Sequence, residues 1–200
     1  DFRAHSVSYF FEAIIASHDR SKFEVVLYSD TTRKDKVTDA MRGAADLWVE
    51  SGGLTNDDFA ARIAADGIDI LINLGGHTSG NRLPVCALKP APVQMEYLGY
   101  PETSGVPAMD YRITDYRADP EGEADRWTTE QLLRLPDCFH CFRTGKAPEP
   151  APAPHVAAGY VTFASFNVLP KVTDQAIAAW SEILKAVPNS RFFVKCKQLR

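Results

Sequence analysis

Gly67-Ile-Asp-Ile-Leu-Ile-Asn-Leu-Gly-Gly76 decides how this chain is read. Between one glycine and a glycine pair, residues 68–74 are almost continuously apolar. That is the pattern of a parallel strand buried on both faces. Just upstream, Asp57 and Asp58 favour a helix start through the macrodipole, and Gly67 supplies the stop of a helix over 58–66. A helix, a buried strand and a glycine-rich loop in that order are the repeating unit of an α/β domain.

The same alternation extends in both directions. Val7, Phe10, Phe11, Ile14 and Ile15 recur at helical spacing and mark one apolar face. Phe23 to Tyr28 is a short run rich in β-formers, followed by a helix-compatible stretch from Lys36 to Ala45 and then Leu47-Trp-Val49. Downstream, Val93 to Tyr97 and Tyr111 to Thr114 read as strands, and Ala124 to Leu133 as a helix. Together these predict a doubly wound, Rossmann-like α/β lobe over residues 1–145, whose first strand lies upstream of Asp1. At Lys146-Ala-Pro-Glu-Pro-Ala-Pro-Ala-Pro154 the composition changes. Prolines at alternate positions cannot continue a helix or a central strand, so residues 146–157 read as an extended linker. The alternation then restarts: strand Tyr160 to Phe166, a helix opened by Thr173 or Asp174 and stopped by Pro188, and a strand from Arg191. The helix carries Ile177, Trp180, Ile183, Leu184 and Val187 on one face. Residues 158–200 thus read as the start of a second lobe, truncated after one βαβ unit.

Composition narrows the function classes. The hydrophobic fraction of 45% and charged fraction of 24% are those of a globular protein. A net charge of −4 argues against a nucleic-acid partner. No apolar run approaches the ~20 residues that span a bilayer. The chain opens without an initiator methionine, and its natural N-terminus is expected upstream. Cys138-Phe-His-Cys141 has metal-ligand spacing but lacks a second ligand pair, with Cys86 and Cys196 isolated. Buried thiols on an apolar strand are the favoured reading, and no metal is expected.

In open α/β sheets the ligand lies beyond the carboxyl ends of the strands, so the loops leaving those strands carry the chemistry. His5 stands at a helix N-terminus, where the dipole disfavours imidazolium and a neutral ring can take a proton; a capping or solvated histidine is the alternative. Gly75-Gly-His-Thr-Ser-Gly-Asn-Arg82 follows the buried strand, and its glycines permit close backbone approach. It is neither a dinucleotide fingerprint nor a P-loop, which counts against an oxidoreductase. His77 and Arg82 are candidates for lining the cleft, and Arg82 can equally bind a neighbouring carboxylate. Phe166-Asn-Val-Leu-Pro-Lys171 joins a strand to a helix, where a lysine beside free helix N–H groups suits a diphosphate; a solvated surface lysine is the alternative.

Three blocks resemble the protein O-GlcNAc transferase (SPINDLY-like) family. They are Asp1 to Glu12, Ala87 to Gly105 continuing through Met109-Asp-Tyr-Arg-Ile-Thr-Asp115, and Phe163-Ala-Ser-Phe-Asn-Val-Leu-Pro-Lys171. The likeness runs in order through nearly all of the chain. It implies a GT-B-type glycosyltransferase of two Rossmann-like lobes, with the first lobe largely complete and the second truncated. It further implies inverting, metal-independent transfer of GlcNAc from UDP-GlcNAc to Ser or Thr hydroxyls of proteins. His5 matches the family's catalytic histidine and Lys171 its diphosphate lysine, with Asn167 beside it at the nucleotide sugar. Val168 stands where the family commonly has an amide side chain. The implied partners are protein acceptors and the nucleotide-sugar donor, with no nucleic acid, membrane or further cofactor, in a cytoplasmic protein associated with tetratricopeptide repeats. O-fucosyl transfer from GDP-fucose and a non-catalytic, protein-binding role are the alternatives. With no Asp-x-Asp pair to recruit a metal, charge on the departing diphosphate would be met by cations and helix N–H groups.

Overall fold

The computed structural model describes residues 2–143, 145 and 147–199. They divide into two units, Asp1–Gly145 and Lys146–Arg200. The first alternates as expected: α1 (Ser6–Ala16), β1 (Val26–Ser29), α2 (Lys36–Ala44), β2 (Leu47–Glu50), α3 (Asn56–Ala65), β3 (Ile70–Asn73), α4 (Leu83–Ala87), β4 (Val93–Glu96), β5 (Tyr111–Asp115) and β6 (Gln131–Leu135). Short polar side chains set the helix starts. Asp35 accepts from the Val37 and Thr38 amides at 2.9 and 3.1 Å, and Thr55 from the Asp58 amide at 3.1 Å.

All strand pairs are parallel, in a β1-β2 pair and a four-stranded sheet ordered β3-β4-β5-β6. Helices cover both faces. On one side α1 packs Ile15 against Leu27 of β1, and its first turn places Val7 against Leu74 and Tyr97. On the other, Phe59 and Ile63 of α3 meet Tyr28 of β1 and Leu71 of β3. Both helices therefore bridge the two sheets.

Four expectations need correction. The segment Ala124 to Leu133 is not a helix: only Ala124–Arg126 makes a 3-10 turn, and β6 follows. Trp127-Thr128-Thr129 favours extended backbone, and a five-residue ladder from Tyr111↔Gln131 to Asp115↔Leu135 overrides helical propensity. Second, β3 is not buried on both faces, since Ile70 is 46% and Ile72 43% exposed. It pairs on one edge only, with β4. Third, Cys138 and Cys141 are exposed free thiols beyond the end of β6, while Cys86 is buried on α4. Phe139 between them is the residue that turns inward. Fourth, the proline-rich stretch does not stay extended throughout 146–157. Pro154 opens α5 (Pro154–Ala158), where a missing N–H costs nothing, and Gly159 closes it at φ 71°.

The second unit continues with β7 (Thr162–Ser165), a 3-10 turn at Leu169–Lys171, α6 (Asp174–Ala186) and β8 (Arg191–Val194). β7 and β8 pair in parallel from Thr162↔Arg191 to Ser165↔Val194, with α6 as the crossover. Trp180 stacks on Phe192 at 4.5 Å between ring centroids. No residue of α6 is fully buried.

Candidate functional site

In the first unit, three loops meet at the carboxyl ends of the strands. Phe2 to His5 leads into α1, residues 75–82 follow β3, and residues 98–105 follow β4. Close backbone approach locks them together. A Cβ at Gly99 would collide with the Leu74 carbonyl oxygen and crowd Val7, while one at Gly76, which lies at φ 48°, would collide with Tyr100. Between them Leu98 adopts φ 77°, a left-handed conformation costing roughly 1–2 kcal/mol for a residue with a side chain. Burial of Leu98 against the Val7, Tyr97 and Phe139 cluster holds it there. Strain of this kind persists where surrounding packing over-determines the backbone, and it concentrates at functional sites.

His5 is the N-cap of α1. Its Nδ1 accepts from the Val7 amide at 3.3 Å, and the Ser8 hydroxyl accepts from the His5 amide at 3.3 Å. The acceptor role of Nδ1 places the neutral ring's proton on Nε2. Burial and the nearby Arg3 charge hold the ring's pKa below its ordinary 6.5, so it is neutral at neutral pH. In this tautomer Nε2 donates. Accepting a proton at Nε2 instead requires the other tautomer and release of the Val7 cap. The helix-start position thus carries both readings of His5, cap and chemical group, on opposite ring nitrogens.

The loop after β3 separates its two candidates. His77 is exposed; its Nε2 lies 2.8 Å from the Ser104 carbonyl oxygen and its ring meets Tyr100 edge-on. It therefore ties the second loop to the third. Arg82 takes the carboxylate alternative: Nε donates to Asp30 at 2.5 Å, and its Nη atoms reach the Leu54 carbonyl and the Asn56 side chain. Partial desolvation raises the pKa of Asp30, but the Arg82 and Ser51 hydrogen bonds outweigh it and leave it lowered. Arg82 thus clamps the ends of β1 and β2 to α3.

Glu96 was missed from sequence. It ends β4 fully buried, beside the glycine loop. Oε2 accepts from Asn73 Nδ2 at 3.0 Å, Asn73 Oδ1 accepts from the Gly75 amide at 3.1 Å, and among the described residues Glu96 Oε1 has no well-formed hydrogen bond, the Gly76 amide being its carboxyl's other backbone neighbour. Burial, reinforced by Glu130, pushes the carboxyl up to about 8 despite the Asn73 bond. The signal was the charge at an inward position of Val-Gln-Met-Glu, two residues after the equally buried Gln94. A carboxyl titrating near 4.5 when unfolded and near 8 when folded makes the folded state bind the extra proton between those values. Its contribution is fully present below pH 4.5 and is lost as pH rises to 8. Glu96→Gln should abolish that slope, a gain at pH 8 on the order of 2–5 kcal/mol over wild type that vanishes at pH 4.5. Urea unfolding at several pH values checks this; parallel losses in both proteins would refute it.

In the second unit, Asn167 and Lys171 are exposed on the connection from β7 to α6. Asn167 Nδ2 donates to Ser165 Oγ at 3.3 Å, and Lys171 closes the 3-10 turn. Thr173 caps α6, accepting from the Ala176 amide at 3.2 Å. Among the described residues, Lys171 makes no ion pair, and no cluster of three or more His, Cys, Asp or Glu could hold a metal. Nor is any described helix long and apolar enough to cross a membrane.

Parallel sheets covered by helices, with loops gathered at their carboxyl ends, define a Rossmann-like α/β protein, and its match to a solved structure makes it one of GT-B type. A mutant O-GlcNAc transferase of Thermobaculum terrenum superposes with a TM-score of 0.90 and 36% identity, over 97% of this chain and 36% of that one. Residues 1–144 match the family model Glycosyl transferase family 41, and the chain belongs to that family. It is 45% identical, over 98% of its length, to the Arabidopsis thaliana protein named probable UDP-N-acetylglucosamine--peptide N-acetylglucosaminyltransferase SPINDLY. It is 40% identical over 70% of its length to the Caenorhabditis elegans UDP-N-acetylglucosamine--peptide N-acetylglucosaminyltransferase. It spans only 22% of the former protein and 12% of the latter.

Proposed function

We propose that the whole protein is a protein O-glycosyltransferase that moves GlcNAc from UDP-GlcNAc to Ser or Thr hydroxyls, with inversion and without a metal. The observation that carries this reading is His5, neutral and cap-anchored at the carboxyl edge of a family 41 lobe. The names of the SPINDLY-like and nematode relatives support the donor and the protein acceptor. His5 is the group we assign to the acceptor hydroxyl. With Nε2 protonated it orients that oxygen as a donor; after tautomer exchange it removes the proton. Lys171, together with the N–H groups opening α6, is assigned to the diphosphate, whose charge grows as the glycosidic bond breaks. Asn167 is assigned to the nucleotide sugar beside it. His77 acts through the loop it fastens to Ser104 and is a positioning residue. We place the protein in the cytoplasm.

Donor profiling of the whole protein by mass spectrometry, against UDP-GlcNAc, UDP-GalNAc and GDP-fucose, tests the assignment. Transfer with UDP-GlcNAc in clear preference is expected. Preference for GDP-fucose would overturn the donor while leaving the transferase, and binding of proteins without transfer from any donor would establish the non-catalytic alternative.

A further inference from the structure

One face of the four-stranded sheet carries polar side chains that are nonetheless buried. By register and strand alternation these are Gln94 and Glu96 of β4, Arg112 of β5 and Glu130 just ahead of β6. Parallel neighbours need a crossover, most often a helix whose apolar side covers the sheet. Residues 97–110 make the crossover from β4 to β5 without one, and polar side chains of the sheet pin them instead. Gln94 Nε2 donates to the Ala108 carbonyl at 2.9 Å and Arg112 Nη1 to the Pro101 carbonyl at 3.0 Å. Glu130 holds the middle. Its carboxylate accepts from the Ser104 amide at 2.7 Å, from the Thr103 hydroxyl at 2.7 Å and from the Ser104 hydroxyl. An ionised carboxylate only accepts, so both hydroxyls turn their protons to it and keep lone pairs for the loop's own amides. The Gly105 amide donates to the Thr103 hydroxyl and the Val106 amide to the Ser104 hydroxyl, each at 3.2 Å. One buried side chain thus shapes the turn from 103 to 106. Burial alone would raise the Glu130 pKa, but these bonds outweigh it and leave it lowered, so the carboxylate is charged at neutral pH.

The pinned loop meets the candidate site at both of its ends. At one end the Ser104 carbonyl accepts from His77 Nε2 at 2.8 Å, so Glu130 and His77 grip the same residue from opposite sides. At the other, Gly99 lies against Val7, whose amide donates to His5 Nδ1, and Tyr97 and Leu98 pack on the same valine. We propose that Glu130 is a positioning residue for the transfer reaction, fixing residues 98–105 as a wall beside His5 against which the acceptor hydroxyl is aligned. The role deepens the transferase reading and rests on it. Apolar packing has no direction, whereas a charged acceptor with three converging donors fixes where a loop sits. Such placement matters to the rate, because a shift of about 1 Å caused by a residue far from the chemistry can cost on the order of 10²-fold.

The test compares Glu130→Ala with Glu130→Gln in the whole protein, by steady-state kinetics with UDP-GlcNAc and by calorimetry with UDP. Gln keeps an oxygen for both Ser104 donors, and its amide nitrogen can donate to the Thr103 hydroxyl. The Ala variant should lose about 10²-fold in kcat with UDP affinity unchanged, and the Gln variant should recover most of that loss. Hydrogen exchange at the Ser104 and Val106 amides should quicken in the Ala variant alone. Should Glu130→Ala fail to fold, Ser104→Ala deletes one donor and leaves the carboxylate in place. It should show a smaller loss of the same kind, in kcat and not in UDP affinity. Equal losses in the Ala and Gln variants, a fall in UDP affinity parallel to kcat, or wild-type kcat in the Ala variant would each overturn the role of Glu130 while leaving the transferase. Wild-type protein that transfers from none of UDP-GlcNAc, UDP-GalNAc and GDP-fucose would instead overturn the transferase reading, and the role of Glu130 with it.

Discussion

His5→Ala in the whole protein should lower kcat by about 10²–10⁴, the range for loss of a group that moves or orients a proton. The substitution also removes the α1 cap, at a cost of about 1 kcal/mol. His5→Asn separates the two effects. Its side-chain oxygen can accept from the Val7 amide as Nδ1 does, but it offers nothing at the Nε2 position. The Asn variant should therefore unfold near the wild-type midpoint and still lose activity. Because the ring's pKa is held below 6.5, the acid limb of the wild-type rate profile attributable to His5 should also fall below that value. More than half the activity retained in either variant would remove His5 from the mechanism and leave only the cap.

Lys171→Ala is expected to reduce turnover by on the order of 10²-fold or more, as for other groups aimed at developing transition-state charge. The cation is exposed and makes no ion pair among the described residues, so its loss should leave stability nearly unchanged. It sits at the end of a 3-10 turn, two residues before the capped start of α6, where N–H groups and a positive charge converge. Ground-state diphosphate is charged as well, so affinity for UDP should fall together with kcat. Unchanged UDP binding by calorimetry would return Lys171 to the status of a solvated surface lysine.

The elements were legible where local signals and tertiary context agree. Residues 67–76 announced a helix stop, a strand and a tight loop, and Thr173 with Pro188 bracketed α6 within a residue or two. They misled where pairing decides. Residues 124–133 have no strong helix-breaking glycine or internal proline, and only the partner β5 makes 131–135 a strand. Ile70 and Ile72 show the converse. Their composition reads as a strand buried on both faces, yet β3 pairs with β4 and both side chains are exposed. The candidate site divides similarly. His5 and Lys171 stand next to helix starts, which spacing can locate. Whether Arg82 reaches a cleft or Asp30 depends on residues 52 positions apart, and no local pattern encodes that pairing. Glu96 was visible only as a charge on the inward side of a strand.

The central claim is tested most directly by incubating the whole protein with a Ser/Thr-containing acceptor protein, UDP-GlcNAc and a metal chelator, then localising the modification by mass spectrometry. The expected result is a single N-acetylhexosamine on serine or threonine, linked in the β configuration, formed equally fast with and without chelator and about 10²-fold or more slowly by the His5→Ala and Lys171→Ala variants. Acceptor left unmodified with each of UDP-GlcNAc, UDP-GalNAc and GDP-fucose would contradict it.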